Sequence, residues 1–344
     1  MPLDRGPSPL RPPIFGGSAS YRVEAMSPVD TELHPVLHAG RVAVITGAAS
    51  GIGRAAALEL AKLGLKIALA DTSPDLLSDT GKAVAKIVGD ANVLIIPTDV
   101  SKLEDVVRLR DKVYEAWGEV SCNRYWWFVA VLLNNAGIGP ESTSWTGLDN
   151  WRKIFDVNVF GYAVVILSSA LFGRLTIRCR VVNVQQTFVP SMLHQENPGM
   201  VINTGSKQGI TNPPGNAGYN ASKAAVKSLT EGLAHELRNQ SSKNLTAHLF
   251  VPGWTFTGMT ARSSEKPAGA WSAEETVLYM LDRVRSGDFY IICPDNDTRK
   301  EVDQLRIMWS AADVAEGRPA LSRWHKNWKA LFEEYLRDGL AALE

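Results

Sequence analysis

Arg41-Val-Ala-Val-Ile-Thr46-Gly47-Ala-Ala-Ser50-Gly51-Ile52-Gly53 decides the fold. A short β-branched run ends at Thr46, glycines follow at once, and a helical stretch from Arg54 to Leu63 closes on Gly64. In a strand–turn–helix context, spaced glycines let the backbone approach a pyrophosphate whose charge rests on the helix N-terminus. Taken alone, the triplet also reads as an ordinary strand-to-helix turn. A second strand, Lys66-Ile-Ala-Leu-Ala70, runs into Asp71, 18 residues after Gly53. There a carboxylate accepts from the ribose hydroxyls of NAD and repels the 2′-phosphate of NADP. Neither Arg54 nor Lys62 replaces Asp71, so the reading favours NAD.

The same alternation continues outward. A strand from Val93 to Pro97 leads into Thr98-Asp99-Val100 and a helix from Leu103 to Trp117. A fourth strand ends in Leu132-Leu133-Asn134-Asn135-Ala136-Gly137, before a helical pattern that starts near Trp151 and carries Asn158. A fifth, Met200-Val-Ile-Asn-Thr204, ends in Gly205-Ser206, and a sixth, Leu245 to Val251, runs into Pro252-Gly253-Trp254-Thr255-Phe256-Thr257. A seventh, Phe289 to Cys293, follows a helix near Ala273–Arg285. Strands alternating with helices predict an α/β fold, a doubly wound Rossmann-type parallel sheet of about seven strands with helices on both faces. Ligands of such sheets bind outside the carboxyl ends of the strands. Every residue singled out so far lies at such an end.

Tyr219-Asn220-Ala221-Ser222-Lys223 opens a helical pattern that runs to Arg238. Four residues apart, Tyr219 and Lys223 share one helix face. A phenol, with a pKa of about 10, is a poor base at neutral pH. A fixed ammonium one turn away favours the phenolate and equips the pair for acid–base work on an alcohol or carbonyl oxygen. The plain alternative is an exposed Tyr beside a solvated Lys.

Of the 344 residues, 45% are hydrophobic, enough for a sizeable core, and 36 basic residues balance 36 acidic ones. That balance gives no global field to recruit nucleic acid or an anionic membrane. Cys122, Cys179 and Cys293 are an odd set without metal-like spacing, which suits a reducing compartment, the cytoplasm, and predicts no metal site. Residues 1–39 carry scattered prolines and mixed charge without an apolar core, and read as a disordered tail. The longest charge-free run, Val157 to Gly173, is 17 residues long, contains Asn158 and sits inside the α/β pattern, so no membrane span is expected.

From about residue 40 to 294 the sequence resembles the classical short-chain dehydrogenase/reductase family in five motifs, in the family's order. They are Thr46-Gly47-x-x-x-Gly51-Ile52-Gly53, Asp99-Val100, Asn134-Asn135-Ala136-Gly137, the Ser206, Tyr219 and Lys223 set, and Pro252-Gly253 with Thr257. The resemblance implies a secondary alcohol–ketone oxidoreductase. Tyr219 exchanges the proton, Ser206 orients the substrate oxygen, and Lys223 holds the nicotinamide ribose and lowers the Tyr219 pKa. Asn158 kinks its helix and holds a relay water. It further implies cofactor contacts from Thr46, Gly47, Ser50, Gly51, Ile52 and Gly53, and from Asp71, Asp99, Val100, Asn135, Ala136 and Gly137. Tyr219, Lys223, Pro252, Gly253, Thr255 and Thr257 complete that set, and a homodimer or homotetramer is expected if the interface helix survives the insertion at 162–180. Two other readings keep the fold: a cofactor-binding but silent protein, and a dehydratase or epimerase.

Two segments break the pattern. Ser121 to Val129 intervenes before Ala130-Val-Leu-Leu-Asn134, and Tyr162 to Arg180 splits what otherwise reads as one helix from Phe155 to Met192. One or both read as translated non-coding sequence or an isoform-specific insertion, with a tolerated insertion as the plain alternative. Loop length itself costs little entropy, but an apolar insertion in a helix disturbs Asn158 and the family's usual subunit interface. Beyond Asp295, Val302, Leu305, Met308 and Trp309 predict one amphipathic helix, and Leu321, Trp324, Trp328, Leu331 and Tyr335 another. These helices pack on the domain or a partner, or form a lid with Trp309 or Trp254 lining an apolar or aromatic substrate pocket.

Overall fold

The computed structural model describes residues 34–121, 124–126, 129–159, 183–240, 244–260 and 264–342, and of 119–121 and 124–126 the backbone only. Two compact units divide the chain, one spanning Leu33–Asp297 and the other containing Thr298–Glu344.

Seven parallel strands form the sheet of the first unit: β1 (Val42–Thr46), β2 (Lys66–Asp71), β3 (Val93–Pro97), β4 (Val129–Asn134), β5 (Gly199–Thr204), β6 (Leu245–Val251) and β7 (Tyr290–Ile292). Their order is β3-β2-β1-β4-β5-β6-β7. The chain winds outward from β1 to β3, then crosses back to start β4 on the other side of β1. That reversal opens a crevice at the carboxyl ends of β1 and β4, where ligands of such sheets bind.

The β-branched runs are needed because both faces are covered. Ala43 and Ile45 pack in one layer with α1 (Gly51–Lys62), α2 (Pro74–Val88) and α8 (Ala273–Arg285). Val42 and Val44 pack in the other with α3 (Leu103–Trp117), α5 (Asn183–Met192) and α7 (Ala217–Arg238). Helix α4 (Leu148–Asn158) packs on α7, as does the single turn α6 (Gln208–Thr211). Pro74 at the start of α2 presets the helical φ where no backbone donor is needed.

Three expectations change. Val36 and Leu37, placed in the expected tail, are buried in the α1 layer, and both their N–H groups donate to His34 Nδ1. Apolar packing captures residues 34–39, so any disordered tail ends before them. The helix expected from Leu321 onward is broken: Leu321 is left-handed at φ +55°, Ser322–Trp324 is one 3-10 turn, and α10 (Lys329–Ala341) begins later. Finally, Glu119–Ser121 pairs antiparallel with Arg124–Trp126, and this hairpin joins no strand of the main sheet. Where the chain re-enters as β4, the register with β1 slips between Val42 and Ala43. That bulge absorbs one residue at the junction between the intervening segment and the family pattern. The second interruption, Tyr162 to Arg180, lies outside the described residues.

The C-terminal unit pairs α9 (Lys300–Ala315) with α10 around Leu305, Trp309, Phe332 and Tyr335. Trp309 Nε1 donates to Ser322 Oγ (2.7 Å), and the Arg318 guanidinium lies over the Trp309 ring, 4.6 Å from its centroid. Trp309 is core of its own unit rather than the lining of a pocket.

Candidate active site

The glycine turn after β1 is shaped by close approach. Gly47 and Gly51 have φ of +68° and +52°, which glycine adopts without a steric penalty. A Cβ on Gly53 would stand 2.1 Å from Gly47 O, and one on Gly47 would stand 2.9 Å from Ala136 Cα. Thr46 Oγ1 accepts the N–H groups of Asn135 (3.1 Å) and Ala136 (3.2 Å), tying the ends of β1 and β4 together. Asn135 Nδ2 donates back to Thr46 O and Gly47 O. Gly137 continues that strand end toward the other half of the site. Ser50 takes the N-cap of α1 without capping it through its hydroxyl, Ile52 follows half-buried, and the first turn holds no acid. The positive helix end thus faces the crevice, a fit for a diphosphate.

Asp71 closes this half. One carboxylate oxygen accepts Ala49 N–H of the glycine turn (3.1 Å) and the other accepts Ser73 N–H (3.0 Å). Asp99 is held in its own turn: Oδ1 accepts Ser101 N–H and Oγ, and Lys102 Nζ lies 3.4 Å from Oδ2. Val100 beside it is buried.

The other half gathers around α7. Asn216 takes the N-cap and accepts Tyr219 N–H, while its amide donates to Gly139 O and Pro140 O of the loop after β4. From the same loop, Ser142 Oγ accepts Gly218 N–H (2.9 Å) and donates to Asn216 Oδ1 (2.6 Å). These bonds fix the first turn of α7, and Gly139 lies against the Tyr219 ring, where a Cβ would stand 3.2 Å from Cδ2.

The Tyr219 phenol lies beside Ser206, which follows the end of β5. Desolvation raises the Tyr219 pKa, and Ser206 works the other way. Lys223 is 4% exposed and donates to Thr204 O (2.8 Å); burial pulls its pKa down to about 8. Its Nζ stands over the Tyr219 ring, 5.8 Å from the centroid. Burial is the largest influence on the phenol.

Asn158, fully buried at the end of α4, accepts Ile138 N–H (2.8 Å) and donates to Ile138 O (2.9 Å) and Ser222 Oγ (3.0 Å). These bonds anchor the strand end after β4. Gly137 brings the two halves together: a Cβ there would stand 3.4 Å from Asn158 Oδ1 and 3.6 Å from Lys223 Nζ.

The segment after β6 reaches both halves. A Cβ on Gly51 would stand 3.1 Å from Thr257 Cγ2, so Thr257 borders the glycine turn. Thr255 is turned inward, its hydroxyl bonded to Gly253 O and Thr276 Oγ1. Gly253 packs on the residues after β7. Ser142, Asn216 and Asp295 were not singled out in sequence. Asn216 carried a signal, an Asn just before a helical pattern, and Asp295 follows the seventh strand, at the ligand-binding edge. Ser142 carried none. Among the described residues, no three His, Cys, Asp or Glu cluster as for a metal ion.

The family model for short chain dehydrogenases matches residues 41–173 and 179–268. The 3-oxoacyl-acyl-carrier-protein reductase FabG of Thermotoga maritima is 31% identical over 250 residues, 72% of this chain and 85% of that protein. The 1-deoxy-11-beta-hydroxypentalenate dehydrogenase of Streptomyces exfoliatus is 26% identical over 291 residues, 83% of this chain and 94% of its own length. A short chain dehydrogenase/reductase from Burkholderia phymatum, solved in complex with NAD, superposes with a TM-score of 0.67 at 29% identity, over 82% of this chain and 96% of that one. Motif order, sheet topology and these likenesses agree: the chain belongs to the short-chain dehydrogenase/reductase family, the NAD(P)-dependent oxidoreductases of CH–OH and keto groups.

Proposed function

We propose that the protein interconverts a secondary alcohol and a ketone, with NAD(H) as the preferred cofactor and a Ser206–Tyr219–Lys223 site. The observation that carries this reading is the gathering of Ser206 and the Lys223 Nζ about the Tyr219 side chain. When bound, the nicotinamide supplies or accepts the hydride. In reduction, the Tyr219 O–H gives its proton to the ketone oxygen; in oxidation, the phenolate takes the proton from the alcohol. Ser206 donates a hydrogen bond to the same oxygen and orients it. Lys223 would hold the nicotinamide ribose, and Asn158 keeps the strand end after β4 in place.

The preference for NAD rests on Asp71, whose carboxylate lies against the glycine turn. Thr46, Gly47, Ser50, Gly51, Ile52, Gly53, Asn135, Ala136, Gly137, Pro252, Gly253 and Thr257 border the groove assigned to the cofactor. The Asp99–Val100 turn is assigned to the adenine. Thr255 supports this groove from behind. A panel of secondary alcohols with NAD and, separately, NADP is the test. Turnover with NAD, at least tenfold better than with NADP, is expected; a preference for NADP overturns the Asp71 assignment, and no turnover with either favours the silent-binder reading.

For residues 121–129 and 162–180 we keep the reading of inserted sequence. The break in the family match, between 173 and 179, falls inside the second segment, and the β4 bulge marks the end of the first. Sequencing the transcript tests this: a message that encodes both segments in every isoform removes it. The cytoplasm is the assigned compartment, in keeping with the odd number of cysteines, and cell fractionation tests it. A homodimer or homotetramer is the assigned assembly, read out by light scattering of the purified chain. No described helix is long and apolar enough to cross a membrane.

A further inference from the structure

Asp295 stands three residues after the end of β7 and is 8% exposed. Its Oδ2 accepts Trp254 N–H at 3.0 Å and lies 3.3 Å from Lys207 Nζ, and Oδ1 accepts Asp297 N–H at 3.2 Å. Lys207 follows Ser206 beyond β5, and Trp254 follows Pro252-Gly253 beyond β6, so one carboxylate joins the carboxyl ends of three neighbouring strands. The approach is built in. A Cβ on Gly253 would stand 2.6 Å from Pro294 O and 2.9 Å from Asp295 Oδ2. On the far side, Trp254 O accepts Trp271 N–H at 2.9 Å. The Trp254 backbone is thus held from both directions while its indole stays 41% exposed.

The same carboxylate connects to the acid–base helix. Lys207 is the N-cap of α6, and Gly209 in that turn lies on the Lys223 backbone, where a Cβ would stand 2.4 Å from the Lys223 carbonyl carbon. A shift of Lys207 therefore reaches Ser206 on one side and Lys223 on the other. A buried carboxylate shared by a cation and a backbone N–H makes charge-assisted bonds, which are shorter and stronger than neutral ones. Taking the charge away leaves both donors poorly matched in a site with little water.

We propose that Asp295 is a positioning residue: it sets the Pro252–Thr257 segment and the Ser206 strand end in one fixed relation. This rests on the Ser206–Tyr219–Lys223 reading above. Misplacement of reacting groups by about 1 Å costs on the order of a hundredfold in rate. Asp295→Asn keeps the shape and loses the charge, and Lys207→Met removes the paired cation. In each, kcat at saturating alcohol and NAD is expected to fall about tenfold, at a temperature well below the melting transition of each variant. The double variant is expected to be no worse than either single one, because both break one linkage.

A structural role alone gives different results: losses that add in the double variant and follow the melting temperature. That outcome overturns the proposal, as does full kcat in Asp295→Asn. Should Asp295→Asn not fold, Lys207→Met decides by itself, and unchanged kcat there sinks the idea. A wild-type chain without turnover overturns the underlying reading, and with it the role of Asp295. Turnover in wild type that both variants keep overturns the Asp295 proposal only.

Discussion

The two halves of the crevice are made in different ways. Around β1 and β4 the shape comes from missing side chains: Gly47, Gly51 and Gly53 sit where a Cβ meets backbone or the Thr257 side chain. Around β5, α4 and α7 it comes from polar side chains in the interior, where Asn158 and Lys223 are buried and bonded. A glycine constraint is written into the sequence as the glycine itself, whether the atom it avoids is near, as Gly47 O is for Gly53, or far, as Ala136 is for Gly47. A buried Lys or Asn depends on partners such as Thr204, Ile138 and Ser222, brought in by the fold. Hence the first half is predicted to be rigid and sensitive to volume, the second tolerant of volume but sensitive to charge and hydrogen bonding.

The largest effect that sharpens this contrast is expected from Lys223→Met. Turnover should fall by about a thousandfold, while thermal stability is kept or raised, since a buried ammonium is costly. A large drop in melting temperature together with activity would mean that Lys223 is structural. Next comes Gly53→Ala. A Cβ 2.1 Å from Gly47 O must displace the turn, so NADH affinity is expected to fall by about a hundredfold, read by fluorescence titration. Equal affinity in this variant breaks the account of the first half.

Smaller effects follow from pH. Burial holds Lys223 at about 8 against 10.5 for an ordinary lysine, so the unfolded chain binds the proton more tightly. Stability should therefore rise with pH between about 8 and 10.5 in wild type relative to Lys223→Met, checked by melting curves of both across that window. In the same sense, the raised Tyr219 pKa keeps the phenol protonated. Ketone reduction should stay level through neutral pH, and alcohol oxidation should rise as pH rises. The smallest effect is expected from Ser142→Ala, which removes two hydrogen bonds, to Gly218 N–H and to Asn216 Oδ1, at the first turn of α7. A loss of about 1 kcal/mol in stability and a few-fold in kcat is expected, because Asn216 still caps the helix.

The fold was legible because a parallel sheet covered on both faces needs uninterrupted apolar strands. Val42–Thr46 and Leu245–Val251 have no other reading beside their flanking helices. The glycine turn and Asp71 were legible for the same local reason. Asp295 and Ser142 act through tertiary bonds to Trp254 and Gly218, far away in sequence, and no spacing announces such pairs. Helix periodicity gives Tyr219 and Lys223 a shared face, and the Lys223 Nζ over the Tyr219 ring agrees with it. Leu321 broke its expected helix by adopting a left-handed conformation that periodicity does not register. Residues 34–39 looked like tail because the composition of residues 1–39 as a whole outweighed Val36 and Leu37.

The most direct test of the central claim is Tyr219→Phe, measured for NADH binding and for turnover in the same preparation. The account predicts NADH affinity within about twofold of wild type and a turnover loss of at least about a thousandfold, since only the proton-transferring oxygen is removed. Turnover within about tenfold of wild type would contradict it, and would move the acid–base chemistry away from Tyr219.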